Sequence, residues 1–293
     1  MDEKTLKTYL KAGKIAKNAL HLGLKKIKPG ASVAKILDEV EKYIYEQDAI
    51  PAFPAQISIN EVAAHYCPTN NEKKIEENQL VKLDVGVCLN GYIADNARTI
   101  STGANKKIIQ ASDEALENAL KIAKPGTTIG EIGKTIQKTI QKHGFSPIRN
   151  LTGHGLGYYE VHVKPTIHNI DTQNKTKLEK NMVIAIEPFA TNGAGIVYEQ
   201  NKATLFTLTN PKPVRSMITR KILKEIKNYK GLPFTSRWLI NKFGEGKTRF
   251  AIRELRRKEM VTEHPPLIDR EKGLVSQSEH TVIIRDEPII TTK

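Results

Sequence analysis

The chain has 293 residues, room for one or two domains with a sizeable core. Hydrophobic residues at 39%, charged residues at 27% and 14 prolines exclude a collagenous or low-complexity chain. No apolar run reaches the roughly 18 residues of a membrane span, so no membrane partner is expected. The net charge of +14 is concentrated in one place: residues 211–260 hold fifteen Lys or Arg against four Asp or Glu, and the remainder is nearly neutral.

The N-terminus lacks an apolar signal core, and Cys67 and Cys88 are too few for a disulfide framework, so a cytoplasmic protein with free thiols is expected. An internal repeat organises the first half of the chain. Lys28-Pro29-Gly30-Ala31-Ser32 recurs 96 residues later as Lys124-Pro125-Gly126-Thr127-Thr128, and Val33, Ile36, Val40 and Ile44 fall on Ile129, Ile132, Ile136 and Ile140. Each copy reads as helix, Pro-Gly turn, then an amphipathic helix capped by Ser32 or Thr128. Two related halves about a pseudo-twofold axis follow, with the seam as the natural place for a site.

Between the copies, residues 81–89, Asn90-Gly91 and residues 92–97 read as a hairpin with a two-residue type I′ turn. With Leu89 opposite Tyr92, Asp84 faces Ala97 and Asp95 faces Gly86. The two carboxylates become diagonal neighbours on one face, about 7 Å apart at Cβ. Acidic groups flanked by Leu83, Val85, Ile93 and Ala94 need partners: Arg98 or Lys82 pairs with them, or cations do, or one is an exposed edge charge.

Further along, Gly153-His154-Gly155 sets an imidazole between glycines, where backbone can approach closely. Residues 182–186 form an apolar strand that ends in Glu187-Pro188. The basic segment predicts helices over 219–229, 235–243 and 248–258, with a wing around Pro265 to Gln277. Ser278-Glu279-His280 then opens another apolar strand. A strand-end carboxylate or a Gly-His-Gly turn, taken singly, is a weak signal.

Taken in order, Asp84, Asp95, His154, Glu187 and Glu279 form a set with which the chain resembles the methionine aminopeptidases of the pita-bread fold. The likeness runs over nearly the whole chain, through Leu83-Asp84-Val85-Gly86, Ala94-Asp95, Thr152-Gly153-His154-Gly155, Glu187-Pro188-Phe189 and Glu279-His280-Thr281. The gap between Glu187 and Glu279 is similar to the helical insertion of the type 2 branch, and a first helix near Thr5 to its archaeal form. The resemblance implies an α+β pita-bread body, residues 1–196 and 266–293, with a basic winged-helix-like insert over 197–265. It also implies that the five residues ligate two divalent metals. Four carboxylates and two such ions balance in charge, and one imidazole among oxygens leaves Mn, Fe, Co and Zn open.

In such enzymes the metals activate water against the peptide carbonyl. The resemblance gives Glu187 a proton-shuttling role, and gives His65 and His162 contacts with the scissile amide that stabilise the tetrahedral intermediate. Phe53 and His264 fall where the family lines the methionine pocket, while Asn96 and Ser278 depart from its usual residues. His280 is expected to face away from the metals. The implied activity is hydrolysis of the initiator methionine from nascent polypeptides with a small second residue, by a monomer. The alternatives are an Xaa-Pro peptidase of the same fold, disfavoured by the short chain and the late insert, and a non-enzymatic ribosome- or RNA-binding relative, disfavoured by the intact ligand set. The insert is either a solvated basic decoration or a surface that makes the ribosome a partner, and specific DNA readout is not expected.

Overall fold

The repeat appears in the computed structural model, which describes residues 1–70, 72–200 and 202–293, as two helix pairs. These are α1 (Glu3–Lys26) with α2 (Val33–Glu46), and α3 (Lys106–Ile122) with α4 (Ile129–Lys142). The caps are those the sequence predicts: the Ser32 side chain accepts from the Lys35 amide, and Thr128 forms a capping box with Glu131. The equivalence runs past the helices. Gly30 donates to Ile75 O as Gly126 does to Leu178 O, and Pro51 pairs with Val87 as Pro147 does with Ala190. The offset on these partners is 103 residues, the same spacing that separates Asp84 from Glu187.

The helices cover one face of a mixed-length antiparallel sheet. Its spine is β1 (Leu80–Leu89), β2 (Tyr92–Ser101), β3 (Thr152–Gly157), β4 (Glu160–His168), β5 (Val183–Ile186) and β6 (Val275–Ile283), in the order β1-β2-β6-β5-β3-β4. The C-terminal strand β6 thus lies in the middle, joining the halves. Period-two alternation sorts each strand: Val81, Leu83, Val85 and Val87 pack with α1 and α2, and Val282 and Ile284 pack with α3 and α4. The even-numbered face of β1 is left for the site. The hairpin register is the expected one, Leu89 opposite Tyr92 and Asp84 opposite Ala97, and Asn90 (φ 51°) and Gly91 (φ 92°) take the positive φ of a type I′ turn.

The basic segment folds into α5 (Met217–Lys227), α6 (Ser236–Phe243) and α7 (Glu245–Arg257). Phe206, Ile222, Ile226, Phe234, Leu239 and Leu255 are buried together in a core of its own. The third helix begins three residues before its predicted start, because Gly244, at φ 83°, lets the chain turn directly into Glu245. The wing is not where the sequence suggests. Leu267–Asp269 pairs with Val197–Glu199 and Val62–Ala64, and Val275 onward is β6, so residues 265–277 belong to the sheets of the body. The strands beside the three helices are instead Leu205–Leu208, Phe234–Thr235 and Val261–His264. Turn-forming composition around Pro265 marks a break in the chain but not which sheet it joins.

Candidate metal centre and substrate cavity

Every spine strand sends one residue to the same place. Asp84 comes from β1 and Asp95 from β2, where the register makes them diagonal neighbours. Glu279 of β6 sits opposite Ala97, so it flanks Asp95 from the other side. Glu187 follows the last residue of β5, His154 lies on β3 opposite Ala185, and His162 lies on β4. Ligand atoms of Asp95, His154 and Glu279 lie within 4.8 Å of one another. The His154 Nε2 is 3.9 Å from Asp95 Oδ2 and 3.7 Å from Glu187 Oε1.

Glycine is what lets β3 carry its imidazole there. A Cβ on Gly153 would lie 2.3 Å from Ala185 O of β5, closer than any side chain tolerates. His154 Nδ1 is 3.1 Å from Gly155 O, which fixes that nitrogen as the donor and leaves Nε2 facing the carboxylates.

The electrostatics single this cluster out. Asp95 and Glu279 are fully buried. Burial, then mutual repulsion, pushes Asp95 and Glu279 far above the ordinary carboxylate range. Glu187 rises in the same way, with Asp84 as its repelling neighbour. Burial pushes Asp84 up to about 7. Burial pulls His154 down to about 3, with His162 adding repulsion. The cationic side chains that could have paired with these acids are engaged elsewhere. Arg98 bonds Asp113 at 2.9 Å, and Lys82 Nζ donates to Asn60 O at 3.0 Å and Val275 O at 2.9 Å. Asp84 Oδ1 and Asp95 Oδ1 are buried with no hydrogen bond. Unpaired, converging carboxylate oxygens beside a neutral imidazole are a donor set that fits divalent cations.

The cluster forms the floor of a cavity of about 260 Å³ whose walls include all nine of the residues singled out in the sequence: Phe53, His65, Asp84, Asp95, His154, His162, Glu187, His264 and Glu279. The His154 and His162 rings meet edge to face at 4.4 Å, and those of His65 and His264 at 5.8 Å. His65 is pulled down to about 4 by burial and by the neighbouring His264 and His162. His280 faces the other way, with Nδ1 bonded to Thr292 Oγ1 at 2.8 Å.

Two glutamines escaped the sequence reading. Gln277 Nε2 bonds Glu187 Oε2 at 3.3 Å and reaches Glu279 Oε2 at 3.5 Å, and the Gln56 side chain accepts from the His65 amide at 2.7 Å. Gln277 was findable, lying two residues before Glu279 and hence on the same strand face. Nothing local marks Gln56. The insert also contributes to the cavity, through Leu205, Thr207 and Pro233.

Comparison with known proteins agrees with this geometry. Residues 7–286 match the model of metallopeptidase family M24. A methionine aminopeptidase of Archaeoglobus fulgidus is 45% identical over 296 residues, covering 100% of both chains. Among solved structures, a methionine aminopeptidase of Thermotoga maritima superposes with a TM-score of 0.75 at 24% identity, covering 100% of this chain and 98% of that one. A prolidase of Pyrococcus furiosus gives 0.65 at 22%, and this chain covers 64% of its length. The fold is therefore that of the pita-bread proteins, and the chain belongs to metallopeptidase family M24 and, within it, to the methionine aminopeptidases.

Proposed function

We propose that Asp84, Asp95, His154, Glu187 and Glu279 hold two divalent ions, drawn from Mn, Fe, Co and Zn, and that His65, His162 and Glu187 handle the scissile peptide. The chain is an aminopeptidase that releases an N-terminal methionine, and its substrates are polypeptide N-termini. When bound, the metal pair supplies an activated water and a polarised carbonyl. The protein's own groups do the rest. Glu187, at the cavity wall, carries the proton from the attacking water to the leaving amine. His65, held neutral by burial, and His162 donate hydrogen bonds to the amide as charge develops on it. Phe53 and His264 supply an aromatic wall for the thioether side chain. The kinship with the methionine aminopeptidases supports a preference for substrates with a small second residue.

The observation that carries this reading is the group of buried, raised carboxylates, with Lys82 and Arg98, the cations the sequence offered as partners, bonded elsewhere. The test is methionine release from Met-Ala-Ser by protein that has been chelated and then reloaded with each metal, beside Xaa-Pro peptides. Release that depends on metal is expected. In the same assay His65→Ala should keep its metal and lose about 10²- to 10³-fold in kcat; a fully active variant would remove His65 from the mechanism.

The basic insert we assign to docking on the ribosome beside emerging N-termini. Lys247, Arg249, Arg253 and Arg257 stand on the exposed side of α7. Co-sedimentation with ribosomes that weakens steeply with salt is the expected result, and salt-independent or absent binding would count against it.

A further inference from the structure

The segment that carries His65, residues 54–67, is gripped by the insert at both ends. At one end stands Arg237 of α6, only 2% exposed, ion-paired with Asp38 and Glu41 of α2. Its Nη2 donates to Glu41 Oε1 at 2.8 Å, and Trp238 Nε1 donates to Glu41 Oε2 at 2.8 Å. The same Glu41 Oε1 accepts from the Ala55 amide at 3.0 Å. The next residue, Gln56, holds the amide of His65 at 2.7 Å. At the other end Thr204 Oγ1, at the base of the insert, donates to Cys67 O at 2.6 Å, and Cys67 Sγ lies 3.7 Å from Thr235 Oγ1. The Ser236 amide donates to Thr204 O at 3.0 Å, tying the two grips together.

Two features say that this arrangement positions rather than merely stabilises. A buried ion pair gains little over a hydrophobic packing of the same shape, because both charges lose their water. It does fix geometry, since each of its hydrogen-bonding atoms has one place to be. His65 itself has φ 64°, a left-handed conformation that a residue with a Cβ holds only where its surroundings over-determine it. The bonds at Ala55, Gln56 and Cys67 belong to those surroundings, beside the backbone pairing of Gln56–Ile59 with Val81–Asp84 and of Val62–Ala64 with Leu267 and Ile268.

We infer that Arg237 is a positioning residue for His65: through Glu41 and the Ala55–Gln56 backbone, the insert fixes the segment that presents the His65 imidazole to the cavity. The inference rests on the role proposed above for His65. It gives the insert a part in the reaction that a surface decoration would lack, since an insert displaced from α2 would loosen the two ends of the His65 segment even with both metals in place and the strand pairing at 56–59 kept.

Arg237→Met alone would strand the Glu41 carboxyl in a dry pocket, so the informative variant is the neutral pair Glu41→Gln with Arg237→Met. In that pair the Gln oxygen still accepts from Ala55 or Trp238. Thr204→Val, which removes the bond to Cys67 without touching charge, probes the other end. Both are made in the full-length, metal-loaded protein, with and without His65→Ala. Metal content, melting temperature, and kcat and KM on Met-Ala-Ser are measured for each.

The pair variant is expected to lose about 10- to 100-fold in kcat with metal content unchanged, and Thr204→Val to shift kcat in the same direction. On the His65→Ala background neither change should cost more than about twofold further, because the effect travels through His65. A folded pair variant with parental kcat overturns the inference. So does a loss that multiplies undiminished onto His65→Ala, the mark of a purely structural role. If His65→Ala itself turns over like the parent, it is the underlying role of His65 that has failed.

Discussion

His154 and His65 sit where burial pulls imidazoles down, to about 3 and about 4, so both carry free lone pairs at neutral pH. The carboxyls beside them move the opposite way, Asp84 to about 7 by burial and the other three well above the ordinary carboxylate range, by burial and repulsion from one another and from Asp84. By about pH 7.5, a full unit above the pKa of an unfolded imidazole, the histidines are nearly all neutral whether the chain is folded or unfolded and drop out of the proton balance. A carboxyl raised by folding contributes stability that is full below its unfolded pKa and is lost as pH climbs through its folded one. Lys82, pulled down by burial to about 7, has the opposite sign. Four carboxyls outweigh one lysine. The chelated protein should therefore melt at progressively lower temperature from pH 7.5 to 8.5, and metal should bind more tightly over the same range as it replaces those protons. A flat or rising melting temperature for the chelated protein would contradict the proton count.

At the scale of elements, a constraint right beside the site lies between β3 and β5. Gly153→Ala puts a methyl 2.3 Å from Ala185 O, so the strands must separate and carry His154 away from Asp95 and Glu187. The expected result is a folded protein with less than a full complement of metal and a turnover about 10²-fold lower, read by metal analysis and methionine release. Full metal content with parental turnover would mean that β3 can shift without moving its imidazole. The same elements show what a sequence can disclose. The hairpin register was legible because alternation has a period of two and Asn90-Gly91 admits one tight turn. The acidic residues stood out because apolar strands rarely carry them. What stayed hidden is non-local. Nothing near Val275 says that β6 slots between β2 and β5, and Gln56, Glu41 and Arg237 look in sequence like any surface polar residues. Their bonds join positions up to 199 residues apart, and only folding brings them together.

Across the whole molecule, one centre draws on both halves of the repeat. Asp84 and Asp95 belong to the sheet half covered by α1 and α2, His154 and Glu187 to the half covered by α3 and α4, and Glu279 to the strand that joins them. Ions held by all five would cross-link parts of the chain that are otherwise joined through β6 and through the small sheet in which Leu267–Asp269 links Val197–Glu199 to Val62–Ala64. They would also relieve the repulsion that raises three of the carboxyls. Binding to the folded chain alone adds about 2.7 kcal/mol at a hundredfold excess over Kd, or about 5–10 °C in melting temperature for a chain near this size. Calorimetry with and without chelator should show that shift. Because the ligands come from both halves and from the strand between them, the loss should leave one cooperative transition at a lower temperature, with the separate core of the basic segment following the body through the Arg237–Glu41 contact. A chelated protein that melts where the loaded one does would mean that the five residues do not hold metal. A body transition that splits into two on chelation would mean that the ions, rather than β6, keep the halves together.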